Sequence, residues 1–125
     1  MKTLLSLLLL VLPCISNATA ITCVLADIET QKPEEVRVNW DDADKTKIEV
    51  NEKIVPRKDG PVEVELREFG SVVISWCELL SGADGPRAGA CYSINRTTGD
   101  IKKFGYLSGT LWSAGSCDAS RKNKF

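Results

Sequence analysis

The chain has 125 residues with 16 lysines or arginines, 17 aspartates or glutamates and a formal net charge of −1 at pH 7. It contains no histidine, which excludes imidazole-based catalysis and histidine-containing zinc sites. The balanced charge also lacks the clustered basic excess of a nucleic-acid-binding surface. A carboxylate pair for glycoside hydrolysis stays open, but Glu63 and Glu65 alternate with apolar residues as on a solvated strand face, so we expect no enzyme.

The first 20 residues have the three parts of a secretory signal peptide. Lys2 precedes an apolar run from Leu4 to Leu12, and the segment closes on the small residues Ala18-Thr19-Ala20. The run is too short to span a membrane, which takes about 20 apolar residues. We therefore predict a cleaved leader over residues 1–20, a single domain over residues 21–125 and a periplasmic or secreted location.

The number of cysteines is consistent with an exported protein. Removal of the leader discards Cys14 and leaves four cysteines, an even number suited to full pairing. A lipoprotein signal ending at Cys14 would need a small residue in place of Pro13. Because there is no C-x-x-C pair and an exported chain meets an oxidising compartment, we expect structural disulfides, with no metal and no cofactor.

After the leader, apolar residues alternate with polar ones, as in antiparallel strands that are solvated on one face. Strands are predicted at 21–28, 36–40, 47–50, 62–66, 71–76, 91–96 and 101–106, with turn residues at 32–34, 41–44, 58–61, 68–70 and 97–99. Short strands separated by turns roughly every eight to twelve residues indicate a sandwich or barrel. We predict an all-β fold, an antiparallel meander of about six to eight short strands closing into a small barrel or sandwich, with no helix.

The acidic run Asp41-Asp42-Ala43-Asp44 invites a calcium interpretation. A helix-loop-helix calcium site needs a defined succession of oxygen ligands, a turn glycine and a distal glutamate, and here Lys45 and Lys47 follow at once. We therefore interpret the run as a hairpin turn.

The three tryptophans differ in their sequence context. Trp40 and Trp76 end alternating runs and share a face with valines and isoleucines, so we predict that both lie in the core. Trp112 has a weaker strand context, and both a core role and a binding role stay open for it.

The segment 81–90 has three glycines, one proline and no apolar pattern, and we predict an exposed loop. A disulfide between Cys77 and Cys91 would close this loop at its base and is worth about 3 kcal/mol in the chain-entropy model. Cys23 would then pair with Cys117 and join the two ends of the domain. Four cysteines permit three pairings, and these two disulfides are the pairing that we favour.

Tethering both ends of a loop lowers the cost of ordering it on binding. The loop is therefore our candidate contact surface, represented by Ser81, Gly82, Asp84 and Arg87.

The run from Tyr92 to Gly99, with the later Gly115-Ser116-Cys117, resembles small exported proteobacterial proteins that carry a late I-N-R-x-T-G turn and a closing G-x-C. Those proteins are mostly uncharacterised, so the resemblance implies an exported β domain rather than an activity. It also implies that Cys23 and Cys117 are the family's early and late cysteines, whereas Cys77 and Cys91 are additions.

The same run has a physical interpretation as a hairpin turn, formed by Asn95, Arg96, Thr97 and Gly99. Gly99 can take the left-handed conformation that a short hairpin needs, and Asn95 with Thr97 or Thr98 can hydrogen-bond nearby backbone.

A second resemblance, at the level of the fold, is to the small periplasmic lysozyme inhibitors, which are exported, cysteine-bridged antiparallel barrels. Their inhibitory loop carries a serine-glycine element, and Ser81-Gly82 and Ser108-Gly109 are the similar elements here. This resemblance implies inhibition of a cell-wall hydrolase as an alternative function.

We therefore expect a monomeric, non-enzymatic exported binding module without catalytic residues, a membrane span or a nucleic-acid partner. Its expected partner is a protein of the cell envelope. Besides the hydrolase inhibitor, the other alternative is a carrier of a small apolar ligand, which would need an open barrel mouth lined by apolar residues.

Overall fold

The computed structural model describes residues 18–119, apart from the side chains of Pro86, Arg87 and Ala119. Residues 1–17 of the predicted leader and residues 120–125 lie outside this range. The described residues form ten strands and no helix. The strands are β1 (Ala18–Asp27), β2 (Pro33–Asp41), β3 (Asp44–Val50), β4 (Lys53–Val55), β5 (Arg57–Asp59), β6 (Val62–Phe69), β7 (Val73–Gly82), β8 (Gly85–Asn95), β9 (Asp100–Gly105) and β10 (Leu111–Ala119). None of the described residues forms a helix long and apolar enough to cross a membrane.

The strands form one antiparallel sheet that nearly closes on itself. Its order is β4-β3-β2-β1-β10-β9-β8-β7-β6-β5, so the first and last strands pair and the free edges are β4 and β5. β3 and β4 also contact β6, which brings the two edges of the sheet together. The barrel confirms the predicted all-β antiparallel meander.

Ten strands are present where the sequence predicted six to eight. The additional strands are β4, β5 and β10, none of which shows a clean alternation of apolar and polar residues. β4 and β5 have three residues each and flank Pro56, and β10 is rich in serine, alanine and glycine. Such segments become strands because a neighbouring strand supplies backbone partners, which is not visible in the local sequence.

The core fills the interior of the barrel. Alternate residues of the longer strands point inward, and among them Trp40 and Trp76 are 4% and 1% exposed, which confirms their predicted core positions. The buried cluster consists of Ile21, Cys23, Leu25, Val36, Val38, Trp40, Ile48, Val55, Val64, Ile74, Trp76, Tyr92, Ile94, Ile101 and Cys117. Burial of each large aliphatic side chain contributes about 1.5–3 kcal/mol, so this layer is the main stabilising element of the barrel.

Successive turns lie at opposite ends of the barrel because neighbouring strands are antiparallel. What we name the Arg96 end carries the turns at 42–43, 70–72 and 96–99. What we name the Trp112 end carries the turns at 28–32, 51–52, 60–61, 83–84 and 106–110.

β1 begins inside the predicted leader. Ala18, Thr19 and Ala20 pair with the end of β2, and Thr19 is buried against the core. The cleavage site after Ala20 stays a prediction.

Candidate functional site

The segment 81–90 is a β-hairpin, so the prediction of an exposed loop was wrong. β7 runs to Gly82 and β8 begins at Gly85, which leaves only Ala83 and Asp84 in the turn. Its small residues still pair because each offers a backbone donor or acceptor. Gly89 approaches β7 so closely that a Cβ atom there would lie 2.5 Å from the Glu78 carbonyl oxygen. The segment 81–90 therefore forms strands although its side chains show no alternation of apolar and polar residues.

The candidate contact residues lie together near the tip of this hairpin, at the Trp112 end. Ser81 and Gly82 are half-buried strand residues opposite Pro86 and Gly85, and Asp84 is exposed in the turn. Arg87 lies in β8, and its side chain is outside the described residues. The Ser81 N–H donates to the Pro61 carbonyl at 2.8 Å, which fastens the hairpin to the turn between β5 and β6.

The structure contains the two disulfides that the sequence favoured, and they occupy opposite faces of the sheet. Cys23–Cys117 lies inside the core and joins β1 to β10, where the meander closes. Cys77–Cys91 joins directly opposed residues of β7 and β8 and therefore braces the middle of a hairpin rather than the base of a loop.

On the outer face, the Cys77–Cys91 disulfide packs in a small apolar cluster with Leu79, Phe104 and Tyr106. The hairpin at the Trp112 end is thus held by a covalent bond and by packing.

At the Arg96 end, the predicted hairpin turn has the expected geometry. Asn95 Oδ1 accepts from the backbone N–H groups of Thr97 and Thr98 at 2.9 and 3.0 Å. Gly99 adopts a φ of 85° and donates its N–H to the Asn95 carbonyl. These bonds satisfy the backbone of the tight connection between β8 and β9.

Arg96 connects three turns of this end. Its Nη1 donates to the Gly70 carbonyl at 2.7 Å, and its Nη2 donates to both carboxylate oxygens of Asp42 at 3.0 and 3.2 Å. The guanidinium also lies 5.3 Å from the centre of the Trp40 ring. The acidic run is thus a hairpin turn, as predicted, and the Asp42 carboxylate within it pairs with the Arg96 guanidinium. The described residues contain no cluster of three or more side chains suited to a metal ion.

The G-x-C segment joins the same arrangement. The Cys117 N–H donates to the Gly99 carbonyl at 2.8 Å. A Cβ atom on Gly115 would lie 1.8 Å from the Val24 carbonyl oxygen, so only glycine fits there. In this chain, the residues that carry the resemblance therefore have structural roles.

At the Trp112 end, a polar layer covers the core. The Tyr92 hydroxyl donates to Glu34 Oε2 at 2.7 Å, and Lys103 Nζ donates to Glu34 Oε1 at 3.1 Å. Trp76 stacks on Tyr92 with the ring centres 5.1 Å apart. Burial raises the pKa of the Tyr92 hydroxyl, and the hydrogen bond and charge of Glu34 and the charge of Glu78 raise it further. Tyr92 is therefore a fixed donor at neutral pH.

The same end carries an open hollow of about 360 Å³, which we name the Trp112 hollow and whose lining includes none of the three hydrogen-bonded residues of the polar layer. Leu80 and Trp112 are 48% and 41% exposed there. The Trp112 ring lies against the backbone of Gly105, where a Cβ atom would be 2.7 Å from the ring. The hollow is lined by Val62, Glu78, Leu79, Leu80, Gly89, Ala90 and Trp112. Trp112, whose role the sequence left open, is thus a surface residue.

Among the described residues that line the Trp112 hollow, Glu78 is the one with a charged side chain. It is exposed, and it makes no hydrogen bond or ion pair with any side chain that the structure describes. Sequence reasoning missed it, although a signal was present. Glu78 continues the inward phase of Ile74 and Trp76, where a carboxylate is unexpected.

Two other hollows are less suitable as sites. One of about 210 Å³ lies at the seam between the sheet edges and also borders Glu78, but its Arg57 is paired with Asp59. The other, of about 320 Å³, lies where β2 and β3 separate. It is lined in part by Ala18, which belongs to the predicted leader.

The fold is an antiparallel β-barrel domain with two disulfides and an apolar hollow at one end. No protein-family model, curated protein or solved structure matches the chain.

Proposed function

We propose that this protein is a non-enzymatic exported binding module that holds a protein of the cell envelope at the Trp112 end. The observation that carries the proposal is the Trp112 hollow, where two large apolar side chains stay exposed beside a cavity of about 360 Å³. Tryptophan is one of the residues enriched among the few that dominate binding energy in protein interfaces.

The scaffold around the hollow supports this function. Leu79 and Leu80 lie in a hairpin braced by the Cys77–Cys91 disulfide, and Trp112 rests on the backbone of Gly105. A surface that is already ordered loses less conformational entropy on binding. The two disulfides also indicate an oxidising location outside the cytosol.

The carrier alternative has less support because the barrel interior is filled. Two tryptophans, one tyrosine and many aliphatic side chains occupy it, and the lining of the Trp112 hollow includes neither of these two tryptophans nor the tyrosine.

The experiment is capture from native cell envelopes, followed by affinity measurements with the purified partner. Leu80→Ala and Trp112→Ala should each weaken binding by about tenfold or more. Ile54→Ala is the matched control, since Ile54 is 49% exposed and lies outside the hollow. Equal affinities for all three variants would refute the proposal.

Inhibition of a cell-wall hydrolase is a second candidate, favoured by one specific observation. Ser81-Gly82 and Ser108-Gly109 lie at the same end of the barrel, in the β7–β8 hairpin and in the turn between β9 and β10. The test is the loss of cell-wall turbidity caused by lysozyme. Slower clearing with micromolar purified protein would support inhibition, and an unchanged rate would count against it.

A further inference from the structure

We infer that the Trp112 hollow receives a lysine or arginine side chain of the partner, with the charged head at Glu78 and the aliphatic stem against Leu80 and Trp112. This inference rests on the proposed function and specifies the chemistry that its site recognises.

Glu78 differs from the other carboxylates of this end because it lines the hollow without a described partner. The carboxylates of Glu29, Glu52 and Asp84 are exposed in the turns of this end and do not line the hollow. Three others are engaged: Glu34 accepts from Tyr92 and Lys103, and Asp59 accepts from Arg57. Asp27 accepts from the backbone N–H groups that follow it. Glu78 has no such partner among the described side chains, although it borders an apolar surface. A cation entering the hollow would meet a carboxylate that pairs with no described side chain.

The apolar part of the hollow suits a long aliphatic stem. Gly89 and Ala90 have small side chains, whereas Leu80 and Trp112 present large, partly exposed apolar side chains to the same hollow. Lysine and arginine bury their methylene stems against apolar surface while the head stays polar. The exposed indole of Trp112 adds a π face that attracts a cation.

The lining of the hollow also disfavours other kinds of ligand. An anionic ligand would face the Glu78 carboxylate and no cationic side chain among the described residues that line the hollow. A neutral apolar ligand would leave Glu78 partly desolvated without compensation. The lining therefore discriminates by charge as well as by shape.

The test uses three small probes that share a six-carbon chain: hexylammonium, hexanol and hexanoate. Binding to the disulfide-bonded protein is followed by NMR through the indole N–H signal of Trp112, which is assigned with Trp112→Phe. We expect hexylammonium to bind most tightly and hexanoate most weakly. Hexanoate binding as tightly as hexylammonium would overturn the inference.

Charge-neutral variants complete the test. Glu78→Gln should weaken hexylammonium binding by about three- to fivefold, the range of one exposed ion pair, and leave hexanol binding unchanged. Glu35→Gln removes an exposed carboxylate from the outer face of β2 and should change neither. An unchanged hexylammonium affinity in Glu78→Gln would also overturn the inference.

Failure of the inference and failure of the proposed function are distinguishable. If Leu80→Ala and Trp112→Ala weaken partner binding while Glu78→Gln does not, the module binds at this end without a cation and only the inference falls. If none of the three variants weakens partner binding, the proposed function falls as well.

Discussion

At the Arg96 end, a tryptophan and a charged residue are buried against each other, whereas at the Trp112 end a tryptophan and a charged residue are both exposed. The Trp40 ring is 4% exposed beneath the Arg96 guanidinium, which is bound by Asp42 and the Gly70 carbonyl. Trp112 is 41% exposed, and Glu78 has no partner among the described side chains. The same two kinds of residue therefore cover one end of the barrel and stay exposed at the other.

The difference follows from the backbone at each end. Three short turns converge at the Arg96 end, so one arginine reaches all of them. At the Trp112 end, residues of the long β7–β8 hairpin line one hollow with Trp112 of β10. The pairing of β10 with β9 shifts register between Leu111 and Ser113. Such a bulge redirects the side chain at that position, and it places Trp112 on the surface.

Removal of the disulfides should have the largest effect on the free energy of unfolding. The two disulfides close loops of different length, so we expect different losses. Replacing both Cys23 and Cys117 with alanine should destabilise the whole barrel by about 4–5 kcal/mol, since this disulfide closes a loop of 94 residues. Replacing Cys77 and Cys91 should cost about 3 kcal/mol, because the loop has 14 residues. Urea unfolding measures both. Equal losses of stability, or a larger loss without Cys77–Cys91, would contradict the ranking of the two disulfides by loop length.

A second substitution breaks the closed end. Arg96→Met should lower the free energy of unfolding by about 1–3 kcal/mol, because the half-buried Gly70 carbonyl and the partly exposed Asp42 carboxylate both lose their donor. Arg37→Met is the control, since Arg37 is an exposed arginine of β2. Thermal and urea unfolding should separate the two variants, and similar losses would show that Arg96 has no special structural role.

A third prediction concerns the polar layer formed by Tyr92, Glu34 and Lys103. Since the pKa of Tyr92 is raised in the folded protein, its contribution is complete below about pH 10, the ordinary tyrosine pKa, and is lost as the pH rises further. Stability should fall there by up to about 1.4 kcal/mol per pH unit.

Tyr92→Phe should remove this part of the alkaline slope, and Tyr106→Phe, at a half-buried tyrosine outside the layer, should keep it. Urea unfolding between neutral and alkaline pH measures the slope. An unchanged slope in Tyr92→Phe would contradict the buried donor role of Tyr92.

The smallest expected effect on stability is that of a substitution at Trp112, the exposed counterpart of the buried Trp40. Trp112→Ala should lower stability by less than about 1 kcal/mol, because its ring is largely on the surface, while partner affinity falls strongly. The measurement is the melting temperature beside the partner affinity. A large loss of stability would mean that Trp112, like Trp40, belongs to the core.

Much of the fold could be predicted from local pattern. The segments with alternating residues are strands, and Trp40 and Trp76 lie in the core. The turn from Asn95 to Gly99 has the hydrogen bonds that its residues predict. The hairpin at 81–90 could not be predicted, because its glycines and alanines show no period and are held by their pairing with β7. The position of Glu78 had a signal in its inward phase, but its proximity to Trp112 had none.

The sequence by itself determined that the chain forms antiparallel strands and which faces of those strands turn inward, because alternation is a local property of a pleated strand. Only the tertiary structure decided that β1 closes on β10, that Arg96 serves three turns, and that Glu78 and Trp112 line one hollow. These contacts join residues far apart in the chain, and they depend on strand order, register and a bulge, which exist only once the sheet has closed.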